Sequence, residues 1–314
     1  MVITAVLVAT WNDGVFVLAG RSCHQELAGQ PVRGLAPDGR GGALAIVNGH
    51  SLCRRVSAGE WITIANSDFD LACAIAVGDV IYVGTDDARV LRVSANGNID
   101  QLSGFERVAS RDTWYAGSAV IDGQRVGPPL GVRSMTATSD GAVLFANVHV
   151  GGIPRSTDGG LTWQPTIAVD SDVHEVRAHP RRHDVVVAGS AVGLYTSRDA
   201  GATWTLEQAG LHASYCAAVA FAGDELLVSA SVDHFAARSA VYRRAIDGSG
   251  PLMRVGAGLP EWMDGIVDTF CIASLGQSIA LIDRGGNAYA STDSGHSWTR
   301  SASGLPLASS MLVL

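Results

Sequence analysis

GGIPRSTDGGLTW, residues 151–163, sets Ser156, Asp158, Gly160 and Trp163 at the spacing S-x-D-x-G-x-x-W. The same residue types recur as Ser197, Asp199, Gly201 and Trp204 in SRDAGATW, and as Ser291, Asp293, Gly295 and Trp298 in STDSGHSW. The first interval is 41 residues and the second is 94, two steps of 47, so one unit between them has lost its motif. A period of roughly 40 to 50 residues filled with short β-rich runs is the mark of propeller blades.

Working outward, each unit divides into four strands. The fifth reads DVHEVRAHP, VVVAGSA, GLYTSRDAG and ATWTLEQ, with alternating apolar and small residues, Gly or Asp at the turns, and no helical period. The template fits six consecutive units. It leaves three strands at the N-terminus and one, SSMLVL, at the C-terminus. The last strand has the character of an innermost strand, which the first unit lacks. The two ends therefore complete one sheet, closing the ring and removing exposed edges. The expectation is an all-β chain: a seven-bladed β-propeller of four-stranded antiparallel blades, one domain over 1–314, with an insertion or lid loop at about 104–131.

Composition agrees. Hydrophobic residues make up 47% and charged residues 17%, enough apolar surface for a substantial core. The 37 glycines call for many tight turns. A formal net charge of -8 argues against a nucleic-acid partner, which would need a basic stripe. All 22 basic residues are arginine, so lysine chemistry is excluded, including Schiff bases and phosphate-loop lysines. Five cysteines without a C-x-x-C pair read as free thiols in a reduced, cytoplasmic setting. The apolar N-terminus reads as a strand, and no apolar run reaches membrane-span length, so no membrane partner is expected.

The three motifs resemble the Asp-box, or BNR, repeat of sialidase-like β-propellers. The resemblance implies a folding device: a turn between third and fourth strands, its Asp binding local backbone, its Gly at positive φ and its Trp packed between blades. It also implies an arginine triad, a Tyr nucleophile paired with Glu, an Asp acid and an Arg-Ile-Pro element. The nearest string here, Gly152-Ile153-Pro154, lacks the arginine, and neither Tyr115 nor Tyr215 has an evident Glu partner. A true sialidase is therefore not expected.

In such a blade the second-to-third and fourth-to-first loops share one face, and the boxes lie on the other. The functional mouth is expected opposite the boxes. His179, His183 and His296 fall on the box side and read as solvated, and His24 sits on an outer strand. His50, His149, His174, His212 and His234 map to the mouth, four of them from blades four to six. Either they converge, His149, His174 and His212 holding a divalent metal ion or acting as acid and base with Asp172 or Asp233, or they bond backbone separately where blades meet. Arg33 and Arg133 occupy matching positions and suit a carboxylate or sulfate, or interblade carbonyls. Long loops bring Arg111, Asp112, Trp114 and Tyr115 from the insertion, as ligand contacts or as an ordinary insertion packing its Trp on the rim, and Glu261, Trp262, Asp264 and Asp268 from the segment before blade seven, toward the same side. Cys73, Cys216 and Cys271 read as packing thiols, with a nucleophilic Cys216 as the alternative.

Two functions follow. The first is a hydrolase or lyase acting on a small-molecule or carbohydrate ligand: His149, His174, His212 and Asp268 do the chemistry, Arg133, Trp114, Tyr115, Tyr215, Asp233 and His234 bind, and a divalent metal is an optional cofactor. The second is a non-catalytic ligand-binding or protein-assembly scaffold, similar to the photosystem-assembly branch of Asp-box propellers, with a protein partner.

Overall fold

The computed structural model describes residues 5–116, 119–121, 124–126, 130–235 and 238–314. Its strands make seven four-stranded antiparallel sheets and one separate hairpin, Ala119–Ile121 with Gln124–Val126. Helix is confined to three short 3-10 turns among the described residues. The innermost strands of blades two to seven are Val32–Pro37, Leu71–Val77, Val132–Ala137, Val173–Ala178, Tyr215–Ala222 and Ile272–Leu275. Each packs on the next around a closed ring.

The ring is closed by the chain ends. Ala308–Val313 is the innermost strand of blade one, paired antiparallel with Val6–Thr10, outside which lie Gly14–Ala19 and Ser22–Glu26. The register sets Val6 opposite Val313 and Leu7 opposite Leu312. Second strands such as Ala43–Val47 and Leu144–Val148 are buried at every position. A neighbouring blade covers each of their faces, so they read as near-continuous apolar runs, with Asn147 the polar interruption in the second.

All three boxes build the same turn. Asp158 takes N–H and hydroxyl bonds from Thr162 at 2.9 and 2.6 Å, Asp199 from Thr203 at the same distances, and Asp293 from Ser297 likewise. The box serine accepts the N–H of Gly160, Gly201 or Gly295 at 2.8–3.0 Å, and these glycines sit at φ of +87°, +74° and +79°. A Cβ on Gly201 would stand 2.2 Å from the Phe145 ring of the preceding blade. The tryptophans differ. Trp163 and Trp298 are buried and donate to the box glycine carbonyl at 2.9 and 3.0 Å, whereas Trp204 is half-buried and donates to Thr166 Oγ1 at 3.1 Å. Trp163 meets Phe105 edge-on at 5.2 Å, in a cluster with Tyr82 and Leu102 from blade three.

Trp163→Ala should therefore cost about 3–5 kcal/mol of unfolding free energy, and Trp204→Ala distinctly less. Denaturant midpoints read both. Equal losses would contradict the interblade role assigned to Trp163.

His179 departs from expectation. It lies in a box-side turn but is fully buried: Nε2 bonds the Gly223 carbonyl at 3.1 Å, and Nδ1 accepts the N–H groups of Arg181 and Arg182. Its ring also packs on Phe221, so it joins blade five to blade six. His183 and His296 are exposed.

Candidate functional site: the axial mouth

The mouth is built by a repeated backbone device. In six blades the innermost strand slips register near its first residues, leaving Ser309, Arg33, Ala72, Arg133, His174 and the pair Ala217–Ala218 out of the ladder. Such bulges re-aim a side chain that regular pairing would send into a blade. Four of these residues, Ser309, Arg33, Ala72 and Arg133, line a cavity of about 280 Å3 on the axis. Second-strand ends add Asp86 and His149, and blade seven, which has no such slip, adds Asp268, Thr269 and Phe270. Trp11 forms part of the rim. This is the face opposite the boxes.

The two arginines are not equivalent. Arg33 grips Asp86 through both carboxylate oxygens, the Nη2 contact being 2.7 Å, and its guanidinium lies 5.9 Å from the Trp11 ring. Among the described residues Arg133 has only a long contact with Asp268, 3.6 Å from Nη2 to Oδ1. Arg133 is thus the cation with charge left for a ligand.

Beside it, Asp172 Oδ1 stands 3.3 Å from His149 Nε2 and Oδ2 stands 3.8 Å from His174 Nε2, charge contacts rather than aligned hydrogen bonds. His149 Nδ1, His174 Nε2 and Asp172 Oδ1 are all buried without a hydrogen-bond partner. Buried polar atoms are nearly always paired, by protein or by ordered water, so these three are open to a water or a ligand. His174 Nδ1 meets the Cys216 carbonyl at 2.8 Å, so that nitrogen carries a proton. Burial, then the Arg133 charge, pushes the His149 imidazole down to about 4, so it is neutral at pH 7. For Asp172, burial works upward, but His174, His149 and Arg133 outweigh it and hold the carboxyl below its usual range. Asp172 itself sits at φ +45°, a strained conformation for a non-glycine residue.

The floor rests on Glu175, which the sequence reading passed over. Fully buried, it accepts the N–H groups of Val219 at 3.3 Å and Phe270 at 3.1 Å, and pairs with Arg177 at 2.6 Å. Arg177 also lies 5.3 Å from the Phe270 ring. Glu175 thereby ties blades five, six and seven across the axis and holds Phe270 at φ +62°. Burial pushes its carboxyl up.

Of the residues singled out from sequence, the fold brings together His149, His174, Asp172, Arg133, Asp268 and Tyr215. The Tyr215 ring is 4.3 Å from that of His174, and burial pushes its phenol up to about 12. His234 is at the rim, 6.5 Å from Tyr215, and Asp233 Oδ1 caps the N–H of Phe235. His212 stands apart: Nδ1 meets the Tyr242 hydroxyl at 2.7 Å, Nε2 the Arg238 carbonyl at 2.8 Å, and its ring packs on Trp262. With both nitrogens engaged it does not join His149 and His174 in a three-histidine metal set. No group of three or more His, Cys, Asp or Glu side chains poised for a metal occurs among the described residues.

The insertion contributes less than expected. Trp114 is buried against Phe105, its Nε1 bonded to Ser110 and Arg111 stacked on it at 5.1 Å, so neither Trp114 nor Arg111 reaches the mouth. Asp112 and Tyr115 are exposed, and residues 117–118, 122–123 and 127–129 of this loop lie outside the described residues. Trp262 stacks with Arg254 at 4.0 Å, and Asp264 N bonds Asp283. His50 is exposed beside Asp70. Burial pushes the Cys216 thiol up to about 12, which removes it as a nucleophile.

Fold and site together define a seven-bladed β-propeller with a pocket on its axis whose largely apolar wall carries Arg33, Asp86, Arg133, His149 and Asp268. No protein-family model matches this chain, and no curated protein matches it. Among solved structures it is similar to the GH74 xyloglucanase from Xanthomonas campestris, at 17% identity and a TM-score of 0.58, over 94% of this chain and 46% of that one. The chain thus spans less than half of the xyloglucanase. It is also similar to the computationally designed Ika8 protein, at 11% identity and a TM-score of 0.57, over 96% of this chain and 81% of that one. Both likenesses concern the fold.

Proposed function

We propose that the axial mouth binds a small anionic, sugar-like ligand and acts on it as a lyase or hydrolase, with elimination favoured. The observation that carries this reading is the set of buried, partnerless polar atoms on His149, His174 and Asp172 beside the loosely held Arg133. A carboxylate on Arg133 would make the neighbouring C–H acidic. His149 then takes that proton, the electron pair closes a C=C bond as the adjacent C–O bond breaks, and the departing oxygen takes a proton from water relayed by the half-exposed Asp268, after which His149 returns its proton to solvent.

Elimination is favoured over glycoside hydrolysis because the latter uses two available carboxyl groups about 5–9.5 Å apart. Of the mouth carboxylates, Asp86 is consumed by Arg33 and Asp172 stands against His149 and His174, which leaves Asp268. A base near 4 is weak at pH 7, but a bound carboxylate would offset the Arg133 charge that helps to depress it. From the three turns we also infer that the chain is an Asp-box propeller. The carbohydrate class is drawn from the pocket's chemistry, not from the xyloglucanase.

A second reading, binding without turnover, has one observation in its favour: without ligand, His149 near 4 and Tyr215 near 12 are both far from neutrality. Calorimetry with D-glucuronate and D-glucose, together with an ultraviolet assay for an unsaturated uronate product, separates the two. Glucuronate should bind and glucose should not, and Arg133→Ala should weaken glucuronate by about 10- to 100-fold, the range of a charge-assisted hydrogen bond. Binding without product supports the second reading, and no glucuronate binding defeats both.

A further inference from the structure

A second chamber adjoins the first. It measures about 250 Å3, is bounded by Ile266, Cys271, Asp283, Arg284 and Leu307, and shares Trp11, Asp268 and Ala308 with its neighbour. The parting between them includes side chains at the surface: the Trp11 indole is 43% exposed and the Asp268 carboxylate 44%. Sites for small molecules run from roughly 300 to 1,000 Å3. Each chamber alone falls just below that range, and joined they fall inside it.

The chambers differ in charge. The first holds Arg133 with charge to spare. In the second, Asp283 is buried and accepts N–H bonds on both oxygens, from Asn287 on Oδ1 and from Asp264 on Oδ2. Arg284 is exposed and donates to the His234 carbonyl at 3.4 Å. Ile266, Leu307 and the indole supply apolar surface. Such a chamber suits a neutral, hydroxylated unit, its C–H face on Trp11 and a hydroxyl on Arg284.

We propose that the ligand is a two-unit molecule, an acidic sugar on Arg133 linked to a neutral sugar in the second chamber, with the linkage lying over Asp268. This rests on the reading above and names its substrate class.

The test is calorimetric titration of the full chain with D-glucuronate and with a disaccharide analogue carrying glucose on position 4 of the glucuronate, next to the acidic C–H, whose linking oxygen is replaced by CH2, which prevents turnover. The disaccharide analogue should bind at least about tenfold more tightly than glucuronate. Leu307→Trp, which fills the second chamber from an exposed position, and Arg284→Ala should each cut that gain. Equal affinities, or a gain that survives in both variants, would overturn the two-unit ligand while leaving the acidic-sugar reading intact. Failure of both ligands to bind would sink both.

Discussion

A chain ending at Leu307 is expected to lose its cooperative fold and to aggregate when expressed. The missing segment, Ala308–Val313, is the innermost strand of blade one and is buried along its whole length. Full burial of Met311, Leu312 and Val313 is worth about 1.5–3 kcal/mol per side chain. That alone approaches the roughly 5–15 kcal/mol by which domains are stable. The loss would not stop at one sheet. Ser310 Oγ accepts the Leu35 N–H and Ser309 Oγ bonds the Val32 carbonyl, so the strand also fastens blade two. Removing it frees Val6–Thr10 as an apolar edge, the kind of template that recruits other chains. A synthetic peptide of residues 305–314 added during refolding should restore soluble, cooperatively melting protein. A truncated chain that melts like the full one would show that closure contributes little.

This closure was legible in the sequence because period and edge logic act on the whole chain. Three boxes fixed the phase of the repeat, and a lone apolar strand at one end had a single place to go. The box geometry followed for a local reason: Asp, Ser and Gly within five residues determine a turn with little help from elsewhere. The mouth was legible only in part. Arg33, Arg133 and His174 stood at equivalent places, but what aims them at the axis is a one-residue slip in strand pairing, which leaves no mark in composition. Asp86 and His149 share a position just past the second strand of their blades, a correspondence that the repeat alignment could have exposed. Glu175 looked like one polar residue in a strand, and its partners, Val219 and Phe270, lie 44 and 95 residues away. His212 and Trp114 were misplaced because a loop's face is set by topology, whereas its side chains follow local packing against Tyr242, Trp262 and Phe105.

The second large effect concerns turnover. If His149 is the base, His149→Gln should lower kcat/KM on a 4-O-linked uronate by about 10²–10⁴-fold, the usual share of general base catalysis, without a comparable loss of stability. The pH profile tests the assignment further. A base must be unprotonated, so kcat/KM rises with pH through the pKa it has in the free protein. With His149 pushed down to about 4, the acid limb of the wild type should lie near there, below the ordinary 6.5 of histidine. Arg133 is one of three causes of that depression, after burial and ahead of His174, so Arg133→Gln should move the limb upward toward 6.5 while reducing kcat/KM overall, because the substrate carboxylate loses its partner. Loss of Arg133 as a mere structural prop would lower the rate at every pH and leave the limb in place. An acid limb that stays put in Arg133→Gln would remove His149 from the chemistry, and with it the distinction drawn between this arginine and Arg33.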